Sequence, residues 1–193
     1  MNVLDIQNVT KAHGDKVLFE EISLQISQGE KVALVAKNGN GKSTLLRIMA
    51  GEDSAEGVGA KVLINKAFTT GYLKQEPDFN PTDTVLEAIF DSDVPVIQAL
   101  KKYETAIALN REDEINEAAM LLDDLKGWDY EARAKEVLFN LKMTNLDQTM
   151  ENLSGGQKKR LALAKMIIEE PSFLIMDEPT NHLDLEMIEW LEE

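Results

Sequence analysis

Three short stretches carry residue types at spacings that suit chemistry on a phosphate-bearing substrate. The first is Ala36-Lys37-Asn38-Gly39-Asn40-Gly41-Lys42-Ser43-Thr44, which follows an apolar run and opens a helix-forming stretch. Exposed backbone N–H groups at a helix N-terminus meet phosphate charge with fixed donors and a favourable dipole. Gly39 and Gly41 let the backbone curve closely around such a group. Lys42 can reach the β- and γ-phosphates, and Ser43 can place its hydroxyl on Mg²⁺. The strict pattern wants Gly where Ala36 stands. Ala does not easily supply a positive φ, so ordinary β geometry is expected there. Taken alone, the stretch also fits a Gly-rich turn with a chance Lys-Ser.

The second stretch is Phe173-Leu174-Ile175-Met176-Asp177-Glu178, an apolar strand ending in two acids. Beside a phosphate loop, Asp177 can hold Mg²⁺ through water and Glu178 can polarise an attacking water. Phosphoryl transfer asks little more of a protein than this positioning and charge stabilisation. A strand that ends in solvated acids is the bland alternative. The third stretch is Leu153-Ser154-Gly155-Gly156-Gln157, ahead of a helix that carries Leu161, Ala164, Ile167 and Ile168. Ser154 is a natural N-cap, and two glycines expose the first N–H groups. An ordinary capped helix would look the same.

The elements that must position these residues follow from periodicity. Leu4, Ile6 and Val9 mark one strand, and Ile22, Leu24 and Ile26 alternate with Ser23, Gln25 and Ser27 in a second. Lys31 to Ala36 is nearly continuous in apolar residues, as expected of a strand buried on both faces. A helix is expected from Lys42 to Ala50, ended by Gly51. Strand-like segments recur at Lys61–Asn65 and Thr70–Lys74. From Thr82 the period becomes helical, with Thr82-Asp83 as a cap ahead of Val85, Leu86, Ile89 and Phe90. Ile115, Ala118, Ala119, Leu122 and Leu125 keep helical spacing, as do Tyr130, Ala134, Val137, Leu138 and Leu141. Residues 83–150 therefore read as a helical insertion before the sheet resumes at Phe173–Met176. Trp128 is most simply a helix-packing anchor.

The 193 residues give room for one domain or one and a half. Hydrophobic residues at 44% and charged residues at 28% exclude a disordered or fibrous chain. The formal net charge of −15 disfavours general-surface binding to nucleic acid or anionic lipid. With no cysteine there is neither a disulfide framework nor a thiolate metal site. No targeting segment stands at the start, and no apolar run approaches the roughly 20 residues that span a bilayer. A soluble, cytoplasmic protein without direct membrane insertion is expected.

Taken in order, the phosphate loop, the Leu153–Gln157 pentapeptide and the Asp177-Glu178 strand resemble the ATP-binding cassette (ABC) superfamily, over essentially the whole chain. The resemblance implies an α/β, ABC-type P-loop nucleotide-binding domain with an antiparallel β-subdomain and a helical subdomain insertion. It implies an ATP-binding core of 1–77 and 161–193, and a helical subdomain of 78–160 that carries an arm insertion and the pentapeptide. ATP and Mg²⁺ are the implied cofactors. Nucleotide contacts fall on Asn38, Gly39, Asn40, Gly41, Lys42, Ser43 and Thr44. Ser154, Gly155, Gly156 and Gln157 of a facing cassette would close on the γ-phosphate. Glu178 and Gln75 take catalytic roles, with Ser43, Gln75 and Asp177 on the metal. His13 stands where the family stacks an aromatic ring on adenine, and Asn181-His182-Leu183-Asp184 matches the loop through which two cassettes touch.

Within the superfamily, Leu153–Ala164 and the run Asp177-Glu178-Pro179-Thr180-Asn181-His182-Leu183-Asp184 are similar to the ABC-F branch, and to its Uup-like group in particular. That branch comprises soluble tandem cassettes acting on ribosomes, so the implied partners are a second cassette and ribosomal RNA. The alternative is the nucleotide-binding subunit of a membrane transporter. The chain carries one cassette and no charged linker, and it stops before the further His that in complete cassettes follows the Asp-Glu strand and contacts the γ-phosphate. It is expected to be an N-terminal fragment, weak or inactive as an ATPase by itself.

Overall fold

The computed structural model describes residues 1–181 and 183–192, and folds as two compact units. One unit holds Met1–Gln75 with Pro171–Pro179, and the other holds Glu76–Glu170 with Thr180–Glu193.

In the first unit, β1 (Asn2–His13) and β2 (Lys16–Ser27) form an antiparallel hairpin in which His13 opposes Lys16. The two-residue turn places Gly14 at φ 59, a conformation that costs glycine nothing. β3 (Lys61–Ile64) adds to the other edge of β1, giving the order β2-β1-β3. The apolar alternation fixes which face is buried, because a one-residue slip would turn every side chain over. Leu4, Ile6, Val9 and Ile26 form the inner face of this antiparallel sheet. They pack with Leu45, Ile48 and Met49 of α1 (Lys42–Met49). Gly51, at φ 78, follows α1 as expected.

β4 (Thr70–Leu73) runs parallel to β5 (Phe173–Met176), whose Ile175 enters the same core. Two side-chain devices hold this long-range pairing in register. At its start, the Thr69 N–H donates to Ser172 Oγ at 2.9 Å and the Ser172 N–H donates back to Thr69 Oγ1 at 3.0 Å. At its end, the Asp177 N–H continues the ladder onto the Leu73 carbonyl at 3.0 Å.

Lys31–Ala36 departs from expectation. It forms no strand, and Val32, Leu34 and Val35 are exposed, Val35 by 90%. An extended segment becomes a strand only where neighbouring backbone takes up its N–H and C=O groups, so apolar content alone does not decide it. Here the Ala36 carbonyl accepts from the Lys42 ammonium instead.

The second unit is helical. It comprises α2 (Val85–Phe90), α3 (Pro95–Ala108), α4 (Glu112–Asp124), α5 (Tyr130–Asn140), a 3₁₀ turn at Met150–Asn152, α6 (Gly155–Glu169) and α7 (Leu185–Glu192). Its interior is lined by Ile89, Ile97, Leu122, Leu138, Leu141, Met150 and Leu161, all fully buried. The cap of α2 is Thr84, not Thr82-Asp83. Thr84 closes a reciprocal box with Glu87, whereas the Asp83 carboxylate is taken by Asn80 Nδ2 at 2.7 Å in the preceding turn. Spacing did not single out α3, although Pro95 stands at its first turn as helix starts favour. Trp128 packs edge-on against Tyr103, ring centroids 5.1 Å apart. The Tyr130 hydroxyl ties α5 to the Ile168 carbonyl of α6, and burial pushes its pKa up to about 12.

Candidate functional site

The phosphate loop, Gln75 and the acidic pair all belong to the first unit. Gly39 and Gly41 both lie at φ 81, in the left-handed region that L side chains avoid. Gly41 is the N-cap of α1. No side chain caps this helix, and its first turn carries no acid. The leading N–H groups of α1 therefore have no competing side-chain acceptor, the condition a helix terminus needs to receive an anion. Ala36 is absent from the positive-φ residues, as its side chain requires.

Lys42 folds back over the loop. Its ammonium donates to the Ala36 carbonyl at 2.7 Å and to Asn38 Oδ1 at 3.2 Å. Both acceptors are neutral, so a phosphate would be a stronger partner for the same cation. Lys16, which sequence reasoning missed, donates from Nζ to the Gly39 carbonyl at 3.2 Å. That bond ties the tip of the β1–β2 hairpin to the loop, and His13 stands opposite Lys16 at the same tip. No sequence pattern marks Lys16; only the hairpin register brings it to the loop. Thr44 accepts from Arg47 at 3.3 Å, and Ser43 occupies the second position of α1.

The glycine at position 41 is required twice over. An added Cβ would sit 3.0 Å from Leu18 Cβ and 3.1 Å from the Phe19 ring, at a backbone angle that strains any side chain. Gly41→Ala is expected to destabilise the first unit by about 1–3 kcal/mol. It should also weaken nucleotide binding. Urea unfolding followed by ATP titration checks both.

At the carboxyl end of β5, Asp177 is only 5% exposed, and its Oδ2 has no hydrogen-bond partner among the described residues. A buried, unpaired carboxylate oxygen is costly unless a cation or donor meets it. Burial, and after it the Asp177 charge, pushes the neighbouring Tyr72 hydroxyl above its ordinary pKa. Glu178 follows at φ 51, an uncommon conformation for a residue with a side chain. Gln75 Nε2 donates to Glu178 Oε2 at 3.4 Å, so two residues separated by 103 positions meet where β4 and β5 end. Among the described residues, no three acidic or histidine side chains converge as a metal site of their own. Mg²⁺ takes one or two carboxylates and fills its shell from substrate phosphates and water. Asp177 fits the metal side of such a shell, through its orphaned oxygen.

The Leu153–Gln157 pentapeptide lies in the second unit, with Ser154 and Gly155 exposed. Ser154 caps α6 in a reciprocal box. Its Oγ accepts from the Gln157 N–H at 3.3 Å, and Gln157 Oε1 accepts from the Ser154 N–H at 2.9 Å. An added Cβ at Gly155 would meet nothing within 4 Å, so the approach to this helix start is open. Gly156 is the second residue of α6. Asp184 caps α7 by accepting from the Met187 N–H at 3.1 Å. His182 lies outside the described residues.

A glycine-rich loop opening an uncapped helix, an antiparallel sheet beside a parallel strand pair ending in acids, and a separate helical unit define an α/β nucleotide-binding domain of the P-loop class. The ABC transporter family model matches residues 19–181, and the chain belongs to that family, whose domains are ATP-binding ATPases. The chain is 40% identical over 200 residues to the uncharacterized ABC transporter ATP-binding protein YfmR of Bacillus subtilis, covering 100% of this chain and 32% of that one. It is 34% identical over 198 residues to the energy-dependent translational throttle protein EttA of Mycobacterium tuberculosis, covering 99% of this chain and 35% of that one. The chain thus spans about a third of the length of these relatives. A solved ATP-binding subunit of an ABC transporter superposes with a TM-score of 0.66 at 20% identity, over 98% of this chain and 71% of that one, and shares the fold. No helix among the described residues is long and apolar enough to cross a membrane.

Proposed function

We propose that the chain is the ATP-binding, Mg²⁺-dependent ATP-hydrolysing cassette of a soluble, cytoplasmic ABC-F protein that acts on the ribosome. The observation that carries the catalytic half is the orphaned Asp177 oxygen next to the Gln75–Glu178 contact, in the same unit as a helix start free of side-chain caps. In this reading the N–H groups and side chains of residues 38–44 hold the triphosphate, and Lys42 leaves its two neutral acceptors for the γ-phosphate side. His13 stacks on adenine. Ser43, Gln75 and Asp177 would hold Mg²⁺, which would supply charge neutralisation for phosphoryl transfer. Glu178 takes a proton from the attacking water, and Gln75 orients that carboxylate. Ser154–Gln157 of a facing cassette complete the site, so hydrolysis needs a second cassette. The working division is a core of 1–77 with 161–193 and a helical subdomain of 78–160.

The ABC-F half rests on the likeness to EttA, named for translation, over nearly the whole chain. The second reading, an energy module of a membrane transporter, is favoured by the likeness to a transporter's ATP-binding subunit. Co-sedimentation of the complete gene product with ribosomes, in ATP and with Glu178→Gln to block turnover, separates the two. Ribosome-bound protein supports ABC-F. Protein left in the supernatant, but recovered with membranes that hold a transmembrane partner, supports the transporter.

A further inference from the structure

Asp184, in the segment assigned above to contact between cassettes, is held by a residue outside every motif. The Lys142 ammonium lies 2.8 Å from Asp184 Oδ2 and 3.0 Å from Glu186 Oε2. Asp184 uses its other oxygen to accept the Met187 N–H, and its carbonyl accepts the Ile188 N–H at 3.1 Å. One carboxylate therefore caps α7 and anchors to the end of α5 at once. The mutual contact keeps both groups charged. Lys142 is raised above its ordinary pKa, first by Asp184 and then by Glu186. Asp184 is lowered, first by Lys142 and then by the Met187 N–H. The Arg160 charge on α6 adds to this lowering, after those contacts.

The backbone at Lys142 is unusual for its side chain. Lys142 sits just past α5 at φ 57; its N–H donates to the Phe139 carbonyl at 2.9 Å, and the Met143 N–H donates to Leu138 at 2.8 Å. This is a Schellman end, where glycine is the usual occupant because a Cβ is disfavoured in the left-handed region. Other helices here also end on left-handed non-glycines, at Asn110, Lys126 and Glu170, so the conformation alone marks no role. Lys142 differs in where its side chain goes: to two acids of the loop and first turn that lead into α7.

We propose that Lys142 is a positioning residue for Asp184, fixing that residue and the start of α7 to the same helical unit that presents Ser154–Gln157. This deepens the cassette reading and rests on it for its purpose. The tether itself does not depend on that reading. Cassette pairing requires the pentapeptide and the loop to meet a partner together. An Asp184 held to the end of α5 is already placed before docking, which lowers the entropy lost there.

The test uses Lys142→Met, Lys142→Arg and Lys142→Gly. Glycine removes the ammonium and also relieves the left-handed backbone, so a fold defect cannot imitate loss of the tether. Amide exchange at Met187 is expected to quicken by roughly twofold to fivefold in the Met and Gly variants and to return toward wild type with Arg. Paired with a second cassette, the Met variant should show a lower kcat with an unchanged KM for ATP, again restored by Arg. Unchanged Met187 exchange in Lys142→Met overturns the tether. Faster exchange with unchanged kcat overturns its positioning role. If the wild-type pair releases no phosphate, the ATPase reading fails instead, and Met187 exchange still decides the tether.

Discussion

Exchange of Glu178 for glutamine is expected to leave ATP binding in place and to cut phosphate release by about 10²-fold or more in a protein that pairs this cassette with a second. Glutamine keeps the size and shape of the side chain but loses the negative charge that draws a proton from water. The hydrogen-bond frame tolerates the change, since the Gln75 amide that donates to Glu178 Oε2 can donate equally to an amide oxygen. The left-handed backbone at position 178 is the same for either residue, so the strain stored there does not change. Loss of rate without loss of binding is therefore the signature of a general base, and it separates Glu178 from Asp177, whose removal should weaken metal binding first. Phosphate release and ATP affinity, measured on both proteins, check this. Equal turnover would show that Glu178 does not activate the water.

Lys42→Ala is expected to abolish tight ATP binding, with affinity falling by about 10²-fold or more as a desolvated charge pair with phosphate is lost. The fold should survive. Lys42 lies at the first position of α1, where alanine is a good helix former, and its two bonds are to a carbonyl and an amide oxygen within the loop. The remaining loop donors are backbone N–H groups, which a side-chain truncation leaves in place. Lys16, a cation that reaches the loop from the hairpin, is held at the Gly39 carbonyl and does not replace a residue anchored in the helix. Calorimetric titration of both proteins with ATP checks the expectation, and equal affinities would remove Lys42 from the site.

Much of this was legible in the sequence, for identifiable reasons. Alternation at Ile22-Leu24-Ile26 and helical spacing at Tyr130–Leu141 report burial on one face, and burial is what drives those elements. Ser154 was legible as a cap because a serine followed three residues later by Gln157 is itself the capping geometry. Lys31–Ala36 misled because a run of apolar residues states a preference, while a strand also needs a neighbour for its backbone. The cap at Thr84 was hidden by an equally suitable Thr82-Asp83 two residues earlier. The Gln75–Glu178 contact, the reach of Lys16 to Gly39 and the Lys142–Asp184 pair join residues 23 to 103 positions apart. Such pairs exist only once the chain is folded, and composition and spacing carry no trace of them.

In the proposed site, residues 38–44 and Asp177 together hold ATP with its magnesium. Calorimetric titration of the wild-type chain with ATP, once in Mg²⁺ and once with the metal chelated, tests it most directly. Saturable binding of one ATP per chain is expected, weakening when Mg²⁺ is removed, because Asp177 then loses the cation its buried oxygen requires. Absence of binding in Mg²⁺, or binding of equal strength with and without the metal, would contradict it.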